Sequence, residues 1–189
     1  MGNKNRKPKT DPNRYKTFWR RFWAGMADAV IFLPLIFISR AVWSHSETLP
    51  VSLLICFHIF HSVLGQAYQI LLHGIYGQTI GKMLFRVKVI DASEEAPITL
   101  TQAFRRNVVP VIFMIIGLFT QVPAILRARN PFDPGEHPFG PLTWIMVSFS
   151  AIWFWSEFIT MLTNKRRRAV HDFIAGSVVI RVPQQKPAP

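Results

Sequence analysis

The chain has 189 residues, 50% hydrophobic and 17% charged, with a formal net charge of +12. That is more apolar than a soluble domain of this size needs, and the lone cysteine, Cys56, excludes an intrachain disulfide and a cysteine-based metal site. The charge by itself raises nucleic acid as a partner, but base-stacking aromatics and a folded basic face are missing, which argues against it.

Residues 1–17 form a basic tail with almost no apolar content, expected to be disordered and held loosely against anionic lipid. The first long apolar stretch, residues 22–42, carries Asp28 and Pro34. It is too long for a signal peptide, is interrupted by a carboxylate and lacks a small-x-small cleavage site. Crossing a hydrocarbon layer of roughly 30 Å takes about 20 helical residues, and three more stretches qualify, at residues 51–72, 108–126 and 141–163. The third contains Pro110, Gln121 and Pro123, and its far end is the least regular of the four. The expected domain covers residues 18–182, with a second disordered tail at 183–189.

Between the second and third stretches, Phe85-Arg-Val-Lys-Val-Ile90 alternates apolar and basic residues, and Ser177-Val-Val-Ile-Arg-Val182 near the carboxyl end is β-branched. Neither strand survives alone, so they are expected to pair into a small juxtamembrane sheet. Thr99 and Gln102 read as a helix cap before Ala103. Basic residues concentrate before the first stretch, in the middle loop and after Thr163, whereas the two other loops are nearly balanced. The positive-inside rule then puts both termini and the middle loop in the cytoplasm. The resulting fold class is an all-α integral membrane protein, four transmembrane helices with a cytoplasmic two-stranded β element.

Three segments resemble the signatures of the RDD family of small bacterial membrane proteins. Arg20-Arg21-Phe-Trp-Ala-Gly-Met-Ala-Asp28 is similar to its amino-terminal signature, Gly77-Gln-Thr-Ile-Gly-Lys82 with the strand through Asp91 to its central segment, and His171-Asp172-Phe-Ile-Ala-Gly176 to its carboxy-terminal element. In that resemblance Arg21 and Asp28 carry the first two named positions and Asp172 the third. It implies a multi-pass protein of the bacterial inner membrane, with transport as the expected role and sodium/proton antiport attributed to some members. Many members are read as having three spans, so the fourth span, with Glu157, and the insert at residues 127–140 depart from the pattern.

A carboxylate in hydrocarbon costs several kcal/mol unless partnered, so Asp28 is the sharpest candidate residue. Arg21, seven residues earlier, lies on the same helix face about 10 Å away, too far for an easy direct pair. Arg21, Lys82 and Arg168 are the candidate cations for it. Glu157 is expected at a similar depth, placed to share a hydrated pocket with Asp28. Two readings stay open: a structural ion pair locking helix to loops, or a carboxylate at which proton and cation compete, the minimum for an exchanger. His58, His61, Gln66 and Gln69 make a polar stripe on the second span, read as helix packing or cavity lining rather than metal ligation. Gly77 to Met83 departs from a phosphate loop, with Met83 where Ser or Thr is required, and His171-Asp172 reads as a hydrogen-bonded turn. No nucleophile or zinc motif accompanies these residues, so neither an enzyme nor a cofactor is expected. The functional expectation is a small transporter or cation/proton exchanger, expected to be oligomeric because four helices enclose little aqueous path; its competitor is a non-catalytic scaffold docking a membrane partner through the charged rim.

Overall fold

The computed structural model describes residues 13–128 and 141–182. The expectations for most of the basic tail, the 183–189 tail and most of the 127–140 insert therefore lie outside the described residues. Ten elements follow in chain order: α1 Phe18–Ile31, α2 Leu33–Ser44, α3 Val51–Tyr76, α4 Ile80–Leu84, β1 Val87–Asp91, α5 Leu100–Arg106, α6 Val108–Ala128, α7 Pro141–Thr163, α8 Val170–Ile174 and β2 Ser177–Arg181.

Three helices, α3, α6 and α7, are long and apolar enough to cross a membrane. The first apolar stretch corrects the expectation of a single helix over 22–42: α1 and α2 meet at Phe32 with a 45° bend, the shape of a broken span or a re-entrant loop. The cause is Pro34, in the first turn of α2, which has no N–H to donate and whose ring collides with the preceding turn. Pro123, by contrast, sits inside α6 without interrupting it, so the third stretch runs on as one helix.

Apolar side chains of these helices face outward. Trp19, Phe37, Ile75, Phe119, Ile152 and Trp155 are all exposed, with Phe119 at 78%. Asp28, His58, His73, Arg106, Glu157 and Asp172 are buried instead. Water would penalise that arrangement heavily and lipid would favour it, which is the polarity of a membrane protein.

One end of the bundle carries a small polar cap. β1 and β2 pair antiparallel as expected, with Val87 opposite Arg181, Val89 opposite Val179 and Asp91 opposite Ser177. Ala24 of α1, Ala103 of α5, Ile98 and the strand residues Val87, Val89 and Val179 form the core beneath the sheet. α3 ends at Gly77, whose φ of +71° is the left-handed conformation a glycine adopts without strain. The Gly77 carbonyl then accepts from Val89 N–H at 2.8 Å, tying the helix end to the sheet. Thr99 and Gln102 form the reciprocal capping box that starts α5. Residues ahead of α1 join the same cap: the Arg14 carbonyl accepts from Arg181 N–H at 3.0 Å, and the Arg14 side chain pairs with Glu94 at 3.1 Å.

Candidate functional site

Asp28 lies in the third turn of α1, facing α3 and α4. Its Oδ1 accepts from the Tyr68 hydroxyl at 2.7 Å and from Gly81 N–H at 2.8 Å, and its Oδ2 accepts from the Thr79 hydroxyl at 2.7 Å. Three neutral donors thus hold the carboxylate, where an arginine or lysine had been expected. The approach depends on Gly81: a Cβ there would run into the Ala24 carbonyl oxygen and come within 2.8 Å of Asp28 Oδ1. A helix of only five residues can lie against α1 because this one position has no side chain.

Arg21 turns instead to the third acidic candidate. Its Nη1 donates to Asp172 Oδ2 at 2.8 Å and to the Arg167 carbonyl at 3.0 Å. Asp172 is fully buried and also accepts from Arg106 Nη1 through Oδ1, from Ser177 Oγ at 3.3 Å, and from Ala169 N–H at 2.9 Å at the start of α8. Burial alone would raise its pKa, but the Arg106 and Arg21 guanidiniums outweigh that and hold it well below the usual carboxylate range.

His171 joins this pair to Glu157. Its Nε2 lies 2.6 Å from Arg106 Nη2 and 3.2 Å from Arg21 Nη2. Guanidinium groups only donate, so Nε2 is the acceptor and the ring proton belongs on Nδ1, 2.6 Å from Glu157 Oε2. Burial, and after it Arg106, pushes the imidazole pKa down to about 4 against the opposing pull of Asp172 and Glu157. Glu157 is therefore a partner of α8 and not a second acid beside Asp28. Arg168 serves the same scaffold, donating to the Ser177 and Asp172 carbonyls at 2.9 Å each and stacking 4.2 Å from the Phe173 ring centre.

Lys82, on α4, donates to His73 Nε2 at 2.6 Å, while His73 Nδ1 donates to the Gln69 carbonyl at 2.6 Å. Burial, reinforced by Arg106 and Arg21, holds the ammonium pKa well below that of an ordinary lysine, with Asp28 and Asp172 pulling the other way. These groups surround a cavity of about 240 Å³ lined by Arg21, Asp28, Gln69, His73, Lys82 and Arg106, with an apolar wall that includes Phe22 and Phe158. A second cavity, about 470 Å³, lies between α3 and α6 and is lined by His58, His61, Ser62, Gln66 and Gln121. Pro110 lines both cavities.

Of the residues singled out from sequence, Arg21, Asp28 and Lys82 line the first cavity, with Asp172 behind Arg21 and Glu157 reached through His171. His58, His61 and Gln66 line the second, while Gln69 belongs to the first. Sequence reasoning missed Arg106, Tyr68, Thr79 and His73. Arg106 had a signal: like Arg21, it is a basic residue at the threshold of an apolar stretch. Tyr68 had none, because its partner Asp28 is distant in the chain, and His73 meets Lys82 only because α4 folds back on α3. Among the described residues no group of three or more His, Cys, Asp or Glu side chains is placed to hold a metal ion.

A model of the RDD family matches residues 15–176, from the strand-edge segment before α1 through the end of α8. The chain belongs to the RDD family. Arg21, Asp28 and Asp172 sit at the sheet end of this fold in two hydrogen-bonded clusters, with Arg21 and Asp28 lining one cavity. No curated protein and no solved structure matches this RDD chain.

Proposed function

We propose that this RDD protein is a small non-enzymatic transporter of the bacterial inner membrane, with both termini and the sheet in the cytoplasm, moving a solute or ion together with protons. The observation that carries this reading is the tandem arrangement of the two cavities along one face of α3. His58, Ser62, Gln66, Gln69 and His73 succeed one another at spacings of three and four residues, so they form a single stripe. It spans about 22 Å of helix, most of the hydrocarbon thickness. The stripe faces the two cavities and ends where His73 accepts from Lys82. Midway along it, Gln66 Oε1 is buried and accepts no hydrogen bond among the described residues. A buried orphan acceptor costs about 1–3 kcal/mol, and a polar path is a reason to keep one.

Within this reading, exchange at Asp28 itself is disfavoured, since a cation would have to displace hydroxyl and N–H donors from both oxygens. The titratable step belongs instead to Lys82 and its neighbours. In liposomes loaded with a pH-sensitive dye, the purified protein is expected to move protons when a panel of cations and anions is offered. Gln66→Leu should cut that flux at least tenfold without altering the melting temperature by more than a few degrees. Inert vesicles across the whole panel, with one membrane protein co-purifying stoichiometrically, would establish the scaffold reading, which draws on the hydrogen-bond saturation of Asp28 and Asp172.

A further inference from the structure

The cavity at the sheet end presents more unspent donors than acceptors. Among the described residues, Lys82 Nζ has a single hydrogen-bond partner, the His73 imidazole, and no carboxylate at ion-pair distance. The hydrogen bonds of Arg21 and Arg106 among the described residues all run through their Nη atoms, which leaves both Nε–H groups unspent. The side-chain amide of Gln69, which lines the same space, is also unpaired among the described residues. The carboxylates alongside are consumed by protein donors, Asp28 by three and Asp172 by four. A volume of about 240 Å³ holds a small polyatomic anion or several waters, each water taking about 30 Å³.

We infer that this cavity is a binding site for a phosphate-type oxyanion, received by Lys82 from α4, Arg21 from α1, Arg106 from α5 and Gln69 from α3. Four elements supply donors, and a phosphate group offers oxygens enough to meet several at once, where a carboxylate offers two. The wall of Phe22, Trp153, Phe158 and Met161 on the other side accommodates an apolar remainder, so the phosphate can come from a free anion or from an anionic phospholipid headgroup.

Binding is expected to favour proton uptake at Lys82, whose pKa burial holds below that of an ordinary lysine. The groups facing Lys82 are Arg21 and Asp28 on α1, His73 on α3, Arg106 on α5, and His171 and Asp172 on α8. A bound anion adds negative charge to that set and favours the ammonium form. The inference deepens the transport reading and rests on it for its purpose. Binding is measured at equilibrium without flux, so binding without flux would sink transport alone, and flux without binding would sink the site alone.

The test is calorimetric titration of inorganic phosphate into the full chain held in nanodiscs of zwitterionic lipid, in two buffers of different ionisation enthalpy. A free-anion site gives saturable binding with net proton uptake, weakened at least tenfold by Lys82→Gln and several-fold by Gln69→Leu. Should Lys82→Gln not fold, as judged by its melting curve, Gln69→Leu decides. A headgroup site leaves phosphate silent, while native mass spectrometry finds one phosphatidylglycerol retained by the wild type and lost in the variant. Absence of both ligands, or binding indifferent to the substitutions, overturns the proposal.

Discussion

Asp28 tolerates loss of its charge better than loss of its oxygens. In Asp28→Asn the retained oxygen still accepts from Tyr68 and Gly81, and the Thr79 hydroxyl can rotate to accept from the new amide. That variant should fold with a cost below about 1.5 kcal/mol, whereas Asp28→Ala, which strands three donors, should lose about 3 kcal/mol or more in a chemical-denaturation measurement. Gly81→Ala forces α4 off α1 and should cost about 3 kcal/mol through overpacking, read in the same assay. Asp172→Asn deprives buried Arg21 and Arg106 of the carboxylate they share, and a penalty of about 3–5 kcal/mol is expected. His171 adds a pH dependence of known sign. Its pKa falls from 6.5 to about 4 on folding, so the unfolded chain binds more protons between those values. Stability is therefore complete above pH 6.5 and declines as pH falls toward 4. Melting curves followed by tryptophan fluorescence should show that decline in the wild type and a flatter profile in His171→Gln.

The elements differ in how directly local chemistry specifies them. α5 is set by its cap, the reciprocal bonds of Thr99 and Gln102, and Thr99→Ala should lower stability by about 1 kcal/mol in a thermal melt. The strands were legible from alternation and β-branching, and their pairing followed from the fact that neither is stable alone. The bend at Phe32 was not, although Pro34 stood in plain view. A proline can kink a helix, start a new one or be absorbed, as Pro123 is in α6, and the neighbours choose among these outcomes. The stripe on α3 was visible as His58, His61, Gln66 and Gln69, but its continuation to His73 required knowing that α4 folds back to place Lys82 against that ring.

At the scale of the molecule, the long helices turn many aromatic and aliphatic side chains outward while a group of ionisable side chains is buried, and the apolar core lies beneath the sheet. Exposed apolar helices together with the family match support a membrane protein, and the proposed orientation has its own check. A reporter active only in the cytoplasm, fused after Pro189, is expected to be active, and a periplasm-only reporter silent. Composition and apolar run lengths were enough to mark α3, α6 and α7, because a hydrocarbon layer demands about 20 helical residues per crossing wherever they occur in the chain, but not the break between α1 and α2. Three ordered motifs specified the family. Pairing among the buried charges was decided by tertiary structure. Arg21 and Asp28 look like natural partners seven residues apart, yet Arg21 binds Asp172 from the far end of the chain and Asp28 binds a tyrosine, a threonine and a glycine N–H. The reason is geometric: hydrogen bonds are satisfied over about 3 Å, and only the folding of α3 and α4 against α1 brings donors that close to Asp28, while α8 brings an acceptor to Arg21.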